Sequence, residues 1–585
     1  MREEADSRKA GFSDRYQAPF LRLSTFLLQS FQLFTSKLPL FSTSQAPTFR
    51  LPTSNFPLPL ILLWLLLILC VNPIGDFPLN DDWQYAYPVK QWLQTGHFEM
   101  QGQFAPNILL QVLWGYLSCI PFGHFSFSYL RLGVLLLGGC TLWVFHRELS
   151  AQAIDKKGCF VLSLAFMFSP LFFNLSFSFM TDVPFLFLCL LSIRLFFAYA
   201  ETGRSVALFG ASLVAIGAYA IRQPGILLLP GFAIYLLVQP RKLTSRISWM
   251  VLLIIMAIGA YIGMEKGIKP ALGITAHYLP VSSLYFSSLI QAPIGVLSTW
   301  AARFLKTFIY LGVFALPVLP FLWPSMQKSG LFKAKSVLLV FSLNMLVLLV
   351  LWKVQKTFPF GGNIWFNWGL GPELLMDVYT LGLENTPRWP SFCLYLLQYL
   401  GQLSGTFISL LVFREWSGLA PLQKPLFRWL ILINVLYLAV ISIFSFFDRY
   451  ILLSMVSFFY LLAPWVKVPD LRQNLGSLVP LLLFGLFSVF ATKDYLNWNR
   501  ARKEAYQWLQ DAGVGIQEMD AGYEYNAWYN YHKNPVQSEG RSFWWVTDDT
   551  YLITFGPVDG YETLQRFPYY RWLWLRKDAL LIVKN

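Results

Sequence analysis

Charge is scarce in this chain. Asp, Glu, Lys and Arg make up 13% of its 585 residues, where a soluble globular domain carries about 25%. Hydrophobic residues reach 56%, and the mean hydropathy is +0.50. That shortage excludes an ordinary soluble domain and indicates an integral membrane protein. Histidine is also sparse: the five, at 97, 124, 146, 277 and 532, are scattered. There is no HExxH, no P-loop and no GxGxxG fingerprint, so catalytic zinc of that type, ATP and dinucleotides lack support. The six cysteines, Cys70, Cys119, Cys140, Cys159, Cys189 and Cys393, lie in or beside apolar segments with no paired spacing in a loop. A disulfide framework or zinc site is therefore not expected, and the cysteines read as small buried hydrophobes. No solenoid or propeller repeat is present. Residues 1–55 lack the short apolar region and small-residue cleavage pattern of a signal peptide. Their Leu/Phe-rich part, 19–41, reads either as a segment lying on the membrane surface or as a plain tail.

The charge that is present is mostly basic, +14 net, with a pI near 9.3. It does not form a nucleic-acid patch. The basic residues sit in short tracts between apolar runs, where they orient a polytopic protein. A span needs about 20 apolar residues. Candidate spans lie near 56–72, 128–146, 158–176, 183–200, 204–220, 224–239, 248–265, 299–323, 335–353, 391–413, 428–447, 449–466 and 474–492, which makes 13. The apolar segment 104–122 is punctuated by Pro106, Asn107, Pro121 and Gly123 and reads as a re-entrant or surface-lying loop. The connections 146–157, 201–204, 240–247, 327–335, 414–428 and 467–473 are short and basic, with residues such as Lys156, Lys157, Arg241, Lys242, Lys333, Lys335 and Arg472. By the positive-inside rule they face the cytoplasm. The long loops 73–127, 266–298 and 354–390 then face outward, with the C-terminal segment 493–585. That segment interleaves charged and aromatic residues. A helical pattern near 502–512 and strand-like runs near 551–555 and 579–583 predict a small extracytoplasmic α/β domain.

Acids at a hydrocarbon boundary are costly and tend to mark function. Asp81 and Asp82 stand together just after the first span, and Asp182 stands in Met180-Thr181-Asp182-Val183-Pro184. Adjacent residues cannot share one helix face, so one of the pair can enter a cavity while the other holds a partner or caps a helix. Asp82–Leu93 has helix character, and Asn80 or Asp81 could cap it. Asp182 is likewise placed to cap the next helix. The functional reading is a general base, because a low-dielectric setting raises carboxylate basicity. Arg222 and Arg449 lie in short outward turns, suited to a lipid phosphate or diphosphate. The bland alternatives are snorkelling to headgroups or, for Arg449, a local pair with Asp448. Lys356 and Lys269 are weaker versions of the same idea.

Asn80-Asp81-Asp82-Trp83-Gln84-Tyr85-Ala86, followed by Trp92-Leu93-Gln94-Thr95-Gly96, resembles the first-loop signature of GT-C glycosyltransferases. The nearest branch is that of the protein O-mannosyltransferases and lipid A aminoarabinose transferases. The resemblance implies an α-helical polytopic membrane protein of GT-C type with about 13 transmembrane helices, covering 56–492, behind a cytoplasmic or interfacial tail, 1–55. Asp81 takes the place of the family's catalytic Asp, Asp82 that of its Glu, and Asp182 that of its second acid. Arg222-Gln223-Pro224 and Arg449-Tyr450 match recurring elements taken to hold the donor phosphate. Gln84 and Tyr85 fall in the substrate pocket. Two departures stand out. The family's Lys-Pro-Pro-Leu-like motif is replaced by Phe104-Ala105-Pro106-Asn107-Ile108, so the lysine is missing. Asp-Asp in place of Asp-Glu leaves open which acid is the base.

The function implied is transfer of a hexosyl or pentosyl group from a polyprenyl- or dolichyl-phosphate donor to a lipid, glycan or protein acceptor. The transfer takes place on the extracytoplasmic side, with inversion and Asp81 as base. No cofactor is implied with certainty. Three outward acids could hold a divalent metal ion, although this branch is not generally built around one. The absence of disulfides and the compact C-terminal segment favour a bacterial inner membrane, with the active site facing the periplasm, over an ER membrane. Two rival readings remain. A transporter or flippase of lipid-linked glycans would place charges near mid-membrane and show repeats, and neither is seen. A glycan polymerase or ligase would share the chemistry but not the acid pair.

Overall fold

The computed structural model describes residues 57–98, 107–151, 155–237, 243–272, 290–419, 423–441, 446–469, 475–531, 546 and 549–585. The expected tail 1–55, residues 99–106 of the first outward loop, Arg241, Lys242, Arg472, His277 and His532 lie outside them. Pro57–Leu93 and the described residues from Phe98 onward form one compact unit. It holds the candidate site and the helices, save the last two residues of Asp82–Thr95.

Among the described residues, seven helices are long and apolar enough to cross a membrane. They are Phe127–Ala151, Asp182–Thr202, Arg246–Ala271, Pro293–Lys328, Ala334–Lys353, Ser391–Gly418 and Leu475–Asp511. An eighth is added if Lys156–Met167 and Pro170–Ser176, bent by 63°, form one span. Other expected spans are shorter helices. Proline accounts for several of the breaks, since it removes a backbone donor and pushes the preceding residue out of the helical region. Pro170 follows the bend, Pro224 falls in a 3-10 turn before Leu228–Leu237, and Pro464 falls in the turn that follows Leu452–Leu462. The segment expected as part of a re-entrant or surface-lying loop holds a helix, Leu109–Cys119, that buries Gln111, Val112, Gly115 and Cys119.

Helices at the periphery show why lipid is their solvent. Ile255, Leu338 and Leu339 are exposed on Leu243–Ile262 and Ala334–Lys353, where in water they would form an apolar patch. Inner helices meet through small residues. A Cβ on Gly312 would lie 1.9 Å from the carbonyl oxygen of Gly401, so Pro293–Ala315 and Ser391–Glu415 cross backbone to backbone there.

The last apolar helix does not stop at 492. It runs from Val479 to Asp511, because no Gly or Pro stands between Gly485 and Gly513, whose φ of 79° suits the residue just past a helix end. Beyond it lie β3 (Met519–Asp520), a helix Tyr523–Asn530, β4 (Tyr551–Thr554), β5 (Glu562–Arg571) and β6 (Arg576–Lys584). They form a sheet of order β3-β4-β6-β5, with β3 parallel to β4 and the other pairs antiparallel. A small hairpin, β1 (Trp365–Phe366) and β2 (Gly369–Leu370), lies in the 354–390 loop.

Candidate active site

The site is built on an irregular strap, residues 72–79, which leaves the first helix and leads into Asp82–Thr95. An irregular segment cannot satisfy its own carbonyls, and three arginines do so here. Arg131, fully buried on Phe127–Ala151, donates to the carbonyls of Pro73 (3.3 Å), Gly75 (2.6 Å) and Phe77. Arg500 donates to those of Asn72 and Ile74 (3.2 Å), and Arg502 to that of Pro78 (3.4 Å). The strap ends at Asn80, whose φ of 53° is one that asparagine tolerates better than most residues. The amide of Asn80 donates to Glu524 Oε1 at 3.1 Å, and Glu524 pairs with Arg502 at 2.8 Å, both side chains fully buried.

Asp81 and Asp82 then diverge. Asp82 is fully buried, accepting from the amides of Leu79 (2.7 Å) and Phe179 (3.3 Å). Burial pushes its carboxyl up to about 7, with Arg131 and the two amides pulling the other way. It ties the loop that follows the first helix to the chain just before Asp182. Asp81 does not cap the helix with its side chain. Its Oδ2 accepts from Arg449 Nη2 at 3.0 Å and its Oδ1 from Tyr523 Oη at 3.2 Å, and its side chain keeps 22% exposure.

Asp182, at the start of Asp182–Thr202, is 4% exposed and pairs with Arg222 at 2.5 Å; Thr181 Oγ1 accepts from the same nitrogen at 3.2 Å. The other oxygen of Asp182 is buried with no partner. Arg222 lies over the ring of Tyr450 at 4.9 Å, with Arg449 at 5.6 Å from that ring. Arg222, Asp182, Arg449 and Asp81 thus form a cluster of alternating sign around Tyr450, with Tyr85 close enough to feel all four charges. Gln84 donates to Tyr523 Oη at 3.3 Å.

The alternative of a local pair with Asp448 is not how the Arg449 guanidinium is used. Asp448 is a backbone clamp, accepting from the amides of Ile364 (3.1 Å), Trp365 (2.7 Å) and Arg449 itself (2.8 Å). Lys269 pairs with Glu265, and Lys356 is exposed. Among the described residues, no group of three or more His, Cys, Asp or Glu converges as a metal site.

Reading the sequence missed Arg131, Tyr523 and the Arg502–Glu524 pair. An arginine within the apolar run 128–146 was a legible signal for the first. Nothing local could have announced Tyr523, which is 442 positions from Asp81.

Residues 122–262 match a family model described as dolichyl-phosphate-mannose-protein mannosyltransferase. The matched stretch contains Asp182 and Arg222 and excludes Asp81 and Arg449. No curated protein matches the chain. ArnT from Cupriavidus metallidurans bound to undecaprenyl phosphate is 14% identical over 79% of this chain and 81% of its own, with a TM-score of 0.33. The S. cerevisiae Pmt1-Pmt2 complex bound to the sugar donor is 14% identical over 37% of this chain, with a TM-score of 0.26. The chain spans about a third, 32%, of that structure's chain. The Archaeoglobus fulgidus oligosaccharyltransferase in complex with Zn and sulfate is 12% identical over 70% of this chain and 54% of its own, with a TM-score of 0.29. Likenesses this slight carry no argument of their own. The family match supports the GT-C superfamily of membrane glycosyltransferases.

Proposed function

We propose, with the GT-C assignment as premise, that this protein transfers a sugar from a polyprenyl-phosphate donor to a hydroxyl or amine acceptor on the extracytoplasmic face of a bacterial inner membrane, through about 13 spans. The acceptor oxygen or nitrogen attacks the anomeric carbon while the bond to the phosphate oxygen breaks with inversion. The acceptor proton goes to Asp81, and the lipid phosphate leaves as the anion. The observation that carries this reading is the contrast among the three acids. Asp81 keeps 22% exposure, whereas Asp182 is 4% exposed and Asp82 is buried outright. A base must reach the proton it takes.

Arg222 and Arg449 hold the leaving phosphate, each fork able to serve two oxygens. Both forks are engaged by Asp182 and Asp81 in the structure, so donor binding exchanges part of these pairs for phosphate contacts. Asp82 holds the loop, and Gln84, Tyr85 and Tyr450 line the pocket. The match to a family described by a dolichyl-phosphate sugar supports a lipid-linked donor.

Asp81→Asn tests the reading in detergent, against a panel of polyprenyl-phosphate sugars. Turnover should fall by on the order of 10²-fold or more while the variant stays folded. Near-normal turnover would rule the assignment out. Consumption of donor by the wild type in detergent, with no membrane to cross, separates an enzyme from a flippase.

A further inference from the structure

The C-terminal segment reaches the cluster through one hydroxyl. Tyr523 Oη donates to Asp81 Oδ1, and nothing in the chemistry of transfer requires that contact. The backbone that carries it is pinned on three sides. Gly522 has φ 86°, and a Cβ there would lie 2.7 Å from the carbonyl oxygen of Leu374. The Tyr523 amide donates to that same carbonyl at 3.2 Å. Glu524 is locked between Arg502 and the amide of Asn80, the residue at the strap end that directly precedes Asp81. The Tyr523 ring packs edge-on against Trp83 at 6.2 Å and is 8% exposed. A side chain held this tightly, with its polar tip on the one exposed acid of the cluster, is preorganised for that acid.

We infer that Tyr523 is a positioning residue for Asp81: its hydroxyl and the Arg449 guanidinium hold one carboxylate oxygen each and keep the group aimed at the acceptor. This rests on Asp81 acting as the base. The C-terminal segment is then part of the active site. A hydrogen bond donated to a carboxylate favours its charged form and lowers its pKa. The other charged or titratable groups facing Asp81 are Arg449, on the turn Asp448–Ile451, and Tyr85, on the helix that follows Asp81; Asp182 and Arg222 complete the cluster. Burial and the neighbouring Asp81 charge both raise the Tyr523 phenol, so it stays a neutral donor through the working pH range.

The test is the pH dependence of turnover. In Tyr523→Phe the acid limb should move to higher pH by about one unit, with the donor KM unchanged. Replacing Tyr523 with 3-fluorotyrosine, a stronger donor of the same shape, should move the limb the other way. Glu524→Gln, which weakens the anchor but leaves the hydroxyl, should lower thermal stability without moving the limb. If Tyr523→Phe folds poorly, the fluorotyrosine enzyme alone decides. An unmoved limb, or a limb moved by Glu524→Gln as far as by the Tyr523 variants, overturns the inference. An Asp81→Asn enzyme that turns over overturns the base assignment instead. A dead Asp81→Asn enzyme beside an unmoved Tyr523 limb overturns this inference alone.

Discussion

Asp81 and Asp82 are neighbours in opposite surroundings, and their chemistry follows from that. One carboxylate meets an arginine and a phenol at a partly open surface; the other meets two backbone amides in the interior. Burial that raises the Asp82 carboxyl from 3.8 to about 7 makes the folded protein bind that proton more tightly than the unfolded chain does. The resulting contribution to stability is full below the unfolded value and is lost as pH rises through about 7. Asp82→Asn is neutral at every pH. Its thermal midpoint in detergent should therefore change less than that of the wild type between about pH 5 and about pH 7.5. Equal pH slopes in the two proteins would mean that Asp82 is not protonated in the fold. Asp377 and Asp448 repeat the pattern as amide clamps, so in a chain poor in acids several carboxylates serve the backbone and not the substrate.

At the scale of elements, the helices cross where side chains are smallest. Gly312, Gly401 and Gly405 let Pro293–Ala315 and Ser391–Glu415 touch through their backbones. Gly312→Ala puts a methyl group against a carbonyl that cannot rotate away. It should destabilise by about 1–3 kcal/mol, read as a lower unfolding midpoint. Gly259 is the control, since a Cβ there meets nothing within 4 Å. Gly259→Ala should be neutral or stabilising, because Gly costs a helix interior up to about 1 kcal/mol relative to Ala. A similar loss at both positions would mean that the crossing is looser than the structure has it.

At the scale of the whole molecule, the strap 72–79, the 354–390 loop and the C-terminal sheet lock together. Arg502 pairs with Glu524, Arg571 with Glu373 at 3.4 Å, and Asp377 takes the amides of Phe555 (2.8 Å) and Gly556 (3.2 Å). All three segments then share one side of the membrane, and the proposed orientation puts the basic connections on the other. In a cysteine-free background, a cysteine at the exposed Gln565 should react with an impermeant thiol reagent from outside, and one at the exposed Lys333 should not. The reverse pattern would mean one span miscounted, with Leu109–Cys119 the first suspect.

The residues alone determined the class of this protein, because hydropathy and basic connections act over short stretches and need no fold to be read. They also singled out Asp81, Asp182, Arg222 and Arg449, since a charge at a hydrocarbon edge is conspicuous by its cost. The strand-like runs near 551–555 and 579–583 correspond to β4 and β6 for the same local reason. Tertiary structure decided the rest. It pairs Arg449 with Asp81 instead of Asp448, gives Asp82 to the backbone, and brings Tyr523 across 442 positions to Asp81. Those outcomes depend on which groups are buried together. In a low-dielectric interior each buried charge must find a partner, and the partner is chosen by the packing of distant segments, which no local pattern encodes.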